Sequence, residues 1–131
     1  MKRVLFVCVE NAGRSQMAEA FFRKHAPDKF ASSAGTKPGP AVNPVVAQAM
    51  KEIGINIENQ APKPLSSDML EDSVVAVNMG CMDKESCPAL FVKNVLDWNI
   101  PDPKGKTIDE VRKIRDQIEL KVKDLIKSLE D

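Results

Sequence analysis

Cys8 and Arg14 have five residues between them in the run Cys8-Val9-Glu10-Asn11-Ala12-Gly13-Arg14-Ser15. A thiol and a guanidinium at that separation can attack and clamp one tetrahedral oxyanion if the chain between them curls back on itself. The intervening residues suit a curl. Asn11 tolerates left-handed backbone geometry, and Gly13 removes side-chain bulk where the loop must close. Backbone N–H groups of Val9, Glu10, Asn11, Ala12, Gly13 and Arg14 turned inward would form an anion nest, and a helix opening at Arg14 would add its positive end. The same field favours thiolate over thiol, so Cys8 is the expected nucleophile and Ser15 the expected hydrogen-bond donor to it. The plainer alternative is a small core residue at a strand end and a surface cation.

Two more thiols, Cys81 and Cys87, lie in Gly80-Cys81-Met82-Asp83-Lys84-Glu85-Ser86-Cys87-Pro88, and Asp102 sits between Pro101 and Pro103. Three cysteines cannot close into a fully paired disulfide framework, and in a reducing compartment thiols read as chemistry rather than staples. Cys81 and Cys87 are alternatively a buried and an incidental thiol, or two metal ligands. The one histidine, His25, falls in the expected first helix and makes a zinc site a poor fit, so neither a metal nor an organic cofactor is expected. Asp102 reads on its own as a turn residue between two prolines. His25 and Trp98 read as structural.

These residues need elements to hold them. Arg3 to Val7 is an apolar run without alternation, the pattern of a central parallel strand buried on both faces, and it ends at Cys8. From Arg14 the spacing of Met17 with Phe21 and Ala18 with Phe22 is helical, bounded by Pro27. Lys29 to Ala34 reads as a second strand ending at Gly35, and Lys37-Pro38-Gly39-Pro40 as a loop. Asn43-Pro44 caps a helix carrying Val46, Met50 and Ile53 that Gly54 terminates. A short helix over 66–70, strands over 73–78 and 94–97, and a long amphipathic helix opened by the capping box Thr107-Ile108-Asp109-Glu110 complete the chain. Strands alternating with helices predict an α/β fold whose parallel sheet is covered on both faces, with ligands at the carboxyl ends of the strands. Cys8, Cys81 and Asp102 each follow an expected strand.

Composition narrows the function. At 131 residues with 43% hydrophobic and 29% charged residues, the chain is expected to form a single domain over 1–131. Lys+Arg and Asp+Glu both number 19, so no basic footprint for nucleic acid or an anionic membrane is expected. The apolar run Val4 to Val7 is too short for a signal peptide, and no stretch approaches the ~20 apolar residues of a membrane span. A cytoplasmic protein is expected.

The stretch from Val4 to Ala20 closely resembles the phosphate loop and first helix of low-molecular-weight protein tyrosine phosphatases and of the thioredoxin-coupled arsenate reductases built on that fold. Ser33-Ala34-Gly35, Asn43-Pro44 and Asp102-Pro103 also match, so the likeness covers nearly the whole chain. It implies a four-stranded parallel sheet of the phosphotyrosine protein phosphatase I type, with Cys8 as nucleophile, Arg14 as oxyanion clamp and Asp102 as general acid. The segment with Cys81 and Cys87 resembles the redox segment of the reductases. Phosphatases of this fold usually carry tyrosines after Asp-Pro, whereas here Lys104-Gly105-Lys106 follows and the chain has no Tyr. The resemblance thus implies arsenate reduction through Cys8–Cys81 and then Cys81–Cys87 disulfides, with thioredoxin as reductant and phosphate or sulfate as competing oxyanions. Phosphomonoester hydrolysis by Cys8, Arg14 and Asp102 is the alternative, and a non-enzymatic oxyanion binder a third reading.

Cysteines six residues apart on a helix would be separated by ~9 Å, beyond the ~7 Å limit for a disulfide. Any helical turn over 81–87 would therefore have to unwind on oxidation. Two features depart from the family: Glu10 puts a carboxylate where relatives carry a small residue, and Gly13 replaces a second loop cysteine. Some relatives bind potassium near the loop; Asn11, Glu19 and Ser33 are compatible but form no complete site.

Overall fold

The computed structural model describes residues 3–80 and 95–129. In chain order these form β1 (Arg3–Cys8), α1 (Arg14–His25), β2 (Phe30–Gly35), α2 (Pro44–Lys51), α3 (Ser67–Glu71), β3 (Ser73–Asn78), β4 (Val95–Asp97) and α4 (Ile108–Leu129). Cys81, Cys87 and the expected rearrangement of residues 81–87 lie outside the described residues.

The unbroken apolar run of β1 takes the central place. It pairs in parallel with β2 on one side and β3 on the other, and β4 extends the sheet beyond β3 in the order β2-β1-β3-β4. Because successive side chains alternate across a strand, Val4, Phe6 and Cys8 enter one core and Leu5 and Val7 the other. The larger core joins Met17, Phe21 and Phe22 of α1, Val46 and Met50 of α2, and Val111, Ile118 and Val122 of α4. The smaller one is closed by Leu65 together with Met69 and Leu70 of α3. Helices therefore cover both faces of a four-stranded parallel sheet, as the alternation of elements predicts.

Local chemistry sets the helix ends. Asn43 Oδ1 accepts from the Val45 N–H at 2.9 Å, with Pro44 in the first turn of α2. Gly54, at φ 83°, closes α2: its N–H donates to Lys51 O and that of Ile55 to Met50 O, both at 3.0 Å. That reciprocal pattern satisfies carbonyls which the helix leaves free. Thr107 and Glu110 form the expected capping box at α4, each side chain accepting from the other's N–H. Among the described residues no helix is long and apolar enough to cross a membrane.

Candidate active site

The loop from Cys8 to Arg14 is held by its carbonyls. Those of Cys8, Val9 and Glu10 accept from the N–H groups of Thr36, Lys37 and Gly39, that of Ala12 from Asn43, and that of Gly13 from Met17. In a trans peptide the N–H points opposite to the carbonyl of the same unit. Tying these carbonyls to the surrounding shell therefore turns the N–H groups of Val9, Glu10, Asn11, Gly13 and Arg14 the other way, and Asn11 N–H donates to Cys8 Sγ at 3.2 Å. Helix α1 opens at the same place with no side-chain cap and no acidic residue in its first turn, so its positive end is left for an anion.

Cys8 is 2% exposed, and its Sγ lies 2.9 Å from Ser15 Oγ. Asn11 holds this arrangement from behind. It adopts φ 54° and is fully buried. Its Nδ2 donates to Ser15 Oγ at 2.7 Å, which leaves the Ser15 hydroxyl proton free to face the sulfur. Its Oδ1 accepts from Gln16 Nε2 at 3.1 Å and from Lys63 N–H at 2.9 Å. The Asn11 side chain thus braces the loop, and its backbone serves the sulfur. The N–H of Gly35 is fixed by Lys63 O; a Cβ at Gly35 would strike Val9 O and Asn11 N, so β2 reaches the loop only as glycine.

Arg14, 9% exposed, donates from Nη1 to Ile100 O at 3.1 Å and places Nη2 3.8 Å from Asp102 Oδ2. A Cβ at Gly80 would fall on the guanidinium. Asp102 Oδ1 accepts from the Lys104 N–H at 3.0 Å, which sets the carboxylate's direction. Cys8, Val9, Glu10, Ala12, Gly13, Arg14 and Asp102 line one cleft of about 580 Å³, whose rim includes Lys37, Pro44, Pro103 and Lys104. The structure therefore brings Cys8, Arg14, Ser15 and Asp102 to the carboxyl end of the sheet. The roles of Gly80, Gln16, Lys63 and Ile100 escape a reading of the sequence, because they rest on backbone proximity or a distant contact that no spacing encodes, and Gly35 was legible only as a strand end.

Glu19 and Ser33, residues compatible with a cation site in relatives, are buried, and among the described residues neither Glu19 Oε1 nor Ser33 Oγ has a hydrogen-bond partner. Lys63 Nζ nevertheless stands 3.8 Å from Glu19 Oε1, and Arg23 Nη2 3.2 Å from Oε2. Both contacts are electrostatic pairs that already place two positive charges on one carboxylate, and Asn11 Oδ1 is engaged twice. A potassium ion does not fit this donor set.

Comparison with known proteins agrees with this geometry. Arsenate reductase 1 of Staphylococcus epidermidis is 39% identical over 121 residues, covering 89% of each chain. A solved arsenate reductase in its phosphate-binding state superposes with a TM-score of 0.86 at 32% identity, over 98% of both chains. A thioredoxin-dependent arsenate reductase of Corynebacterium glutamicum gives 0.82 at 34% identity, over 99% of this chain and 62% of that one. Residues 3–131 match the low molecular weight phosphotyrosine protein phosphatase family. With its strand–loop–helix turn at the carboxyl end of a four-stranded parallel sheet, the chain belongs to that family.

Proposed function

We propose that the protein reduces arsenate to arsenite through a relay of Cys8, Cys81 and Cys87, and that a thioredoxin-type dithiol restores it. In the first step the Cys8 thiolate attacks arsenic while the inward N–H groups and the Arg14 fork hold the other oxygens. Asp102 protonates the departing hydroxide, which leaves as water. The Cys81 thiolate then attacks Cys8 Sγ; the sulfur–arsenic bond breaks, its electron pair stays on arsenic, and arsenite departs. Cys87 attacks Cys81 and releases the Cys8 thiolate, leaving a Cys81–Cys87 disulfide. Two electrons and two protons from the dithiol reductant open that bridge.

The observation that carries this reading is Gly80. It abuts the Arg14 guanidinium, and the next residue in the chain is Cys81. Two features weigh on the same side. Among the described residues the cleft lining holds no aromatic side chain on which an aryl phosphate would stack, and reductase relatives match over nearly the whole chain. Phosphomonoester hydrolysis is a second reading, favoured by the Arg14–Asp102 pairing over the Cys8 cleft, which such chemistry also needs.

The test mixes fully reduced protein with arsenate and no added reductant, maps the disulfides by mass spectrometry and assays arsenite. One arsenite per Cys81–Cys87 bridge is expected. Three free thiols and no arsenite would remove the relay and leave the hydrolase. Cys87→Ser separates the two readings further: it stops repeated arsenate turnover and spares any aryl phosphate hydrolysis.

A further inference from the structure

Glu10 is an unfavourable residue for an anion-binding loop, because it adds a carboxylate to the wall of a cleft meant for a dianion. Across the cleft stands Lys104. Its Nζ lies 3.4 Å from Glu10 Oε1, and both side chains line the cleft. The same short segment touches the anion loop twice more: Asp102 faces Arg14, and Pro103 packs so closely on Gly13 that a Cβ there would come within 2.8 Å of its Cγ. Within three residues, the chain thus seats an acid, a ring and a cation on the loop.

We propose that Glu10 and Lys104 act as a charge-compensating pair across the mouth of the cleft, with Lys104 as the positioning residue that screens the Glu10 carboxylate from the bound oxyanion. The inference rests on the loop being an oxyanion site, and it assigns the pair a part in affinity for dianions. An exposed ion pair contributes little to stability. Its consequence lies in the field at the cleft, where a carboxylate left uncovered repels the ligand and a lysine left unpaired attracts it. The two side chains must therefore have opposite effects on binding, which cancel when both are removed.

The experiment measures inorganic phosphate affinity through protection of Cys8 from iodoacetamide, following the Cys8 peptide by mass spectrometry in the full chain. Lys104→Ala is expected to weaken phosphate binding about fivefold, and Glu10→Gln to tighten it by a similar factor. The double variant should return to within about twofold of the parent. All effects should shrink in about 1 M salt, where the screening length falls to roughly 3 Å. Unfolding midpoints should match the parent, which separates a charge effect from a folding defect. An unchanged affinity in Lys104→Ala, or a double variant as weak as Lys104→Ala alone, would overturn the pairing. If phosphate fails to protect Cys8 even in the parent, the oxyanion site itself falls and the pair falls with it.

Discussion

Arg14 owes its orientation to residues far from it in sequence. Its guanidinium is held by the Ile100 carbonyl at 3.1 Å, faced by Asp102, and given room by the missing side chain of Gly80. A methyl group at position 80 must push the fork aside, whereas the rest of the loop is fixed by its carbonyls and has no reason to move. Gly80→Ala is accordingly expected to weaken phosphate binding about tenfold, the loss of one charge-assisted contact. The same substitution should have almost no effect on binding when introduced into Arg14→Ala. Titration of the four proteins with phosphate measures this directly; an equal penalty in both backgrounds would mean that Gly80 supports the fold and not the clamp. Arg14→Lys is a milder probe of the same contact, since a point charge cannot replace the bidentate fork.

At the scale of elements, the loop is steadied by the helices behind it. Helix α2, whose capping residue Asn43 also donates its N–H to the loop carbonyl of Ala12, is tied to α4 by one carboxylate. Glu52 accepts from Arg112 Nε and Nη2, at 3.0 and 2.6 Å, and from Arg115 Nη1 at 3.2 Å. Arg115 also donates to Ala49 O at 2.8 Å, so the brace reaches the backbone of α2. Hydrogen bonding from Arg112, and its positive charge, hold the Glu52 carboxyl below its ordinary value of 4.5, with Arg115 adding to the effect. A group whose pKa is lower in the folded state stabilises the fold above its unfolded value and loses that contribution as the pH falls through the folded one. Glu52→Gln should therefore be less stable than the parent at pH 7. The gap should narrow steadily once the pH drops below about 4.5, as urea unfolding midpoints at several pH values would reveal. A gap that stays constant down to pH 3 would count against the ionised brace.

For the molecule as a whole, the site is a meeting of segments remote in sequence. The end of β1 supplies Cys8, the end of β2 brings Gly35 under the loop, and the turn after β3 brings Gly80 to Arg14. The stretch after β4 contributes Ile100 and Asp102. Only the folded chain assembles them, so an oxyanion that binds the site must stabilise the fold. Phosphate at 100 times its dissociation constant should add about 2.7 kcal/mol to the unfolding free energy. Phe22, fully buried and set edge-on to Phe6 with ring centroids 6.0 Å apart, gives the complementary test. Phe22→Ala should cost roughly 3–5 kcal/mol by opening a cavity in the larger core. Calorimetry should show phosphate raising the unfolding midpoint of this variant as well, because the cavity lies away from the loop.

Much of this architecture was legible in the residues alone, where the forces are local. The strand at β1, the tight loop between Cys8 and Arg14, the caps of α2 and α4 and the alternation of strands with helices follow from side-chain period, glycine and proline placement, and capping chemistry. Each of these acts within a few residues. The pairing of Cys8 with Ser15 was legible for the same reason. Asn11 was read as a residue able to turn left-handed, as a backbone donor of the loop and as compatible with a cation site; that its side chain is spent on Ser15, Gln16 and Lys63 depends on a segment about fifty residues away. Gly80 and Ile100 carried no signal at all, since their roles rest on an absent side chain and a carbonyl. Nor did spacing reveal that Lys104 answers Glu10, or that Lys63 and Arg23 neutralise Glu19. The sequence by itself determined which groups are present and how each short segment bends. Only the tertiary structure decided which charges face each other, because Coulomb and hydrogen-bond energies depend on distances through space that chain separation does not set.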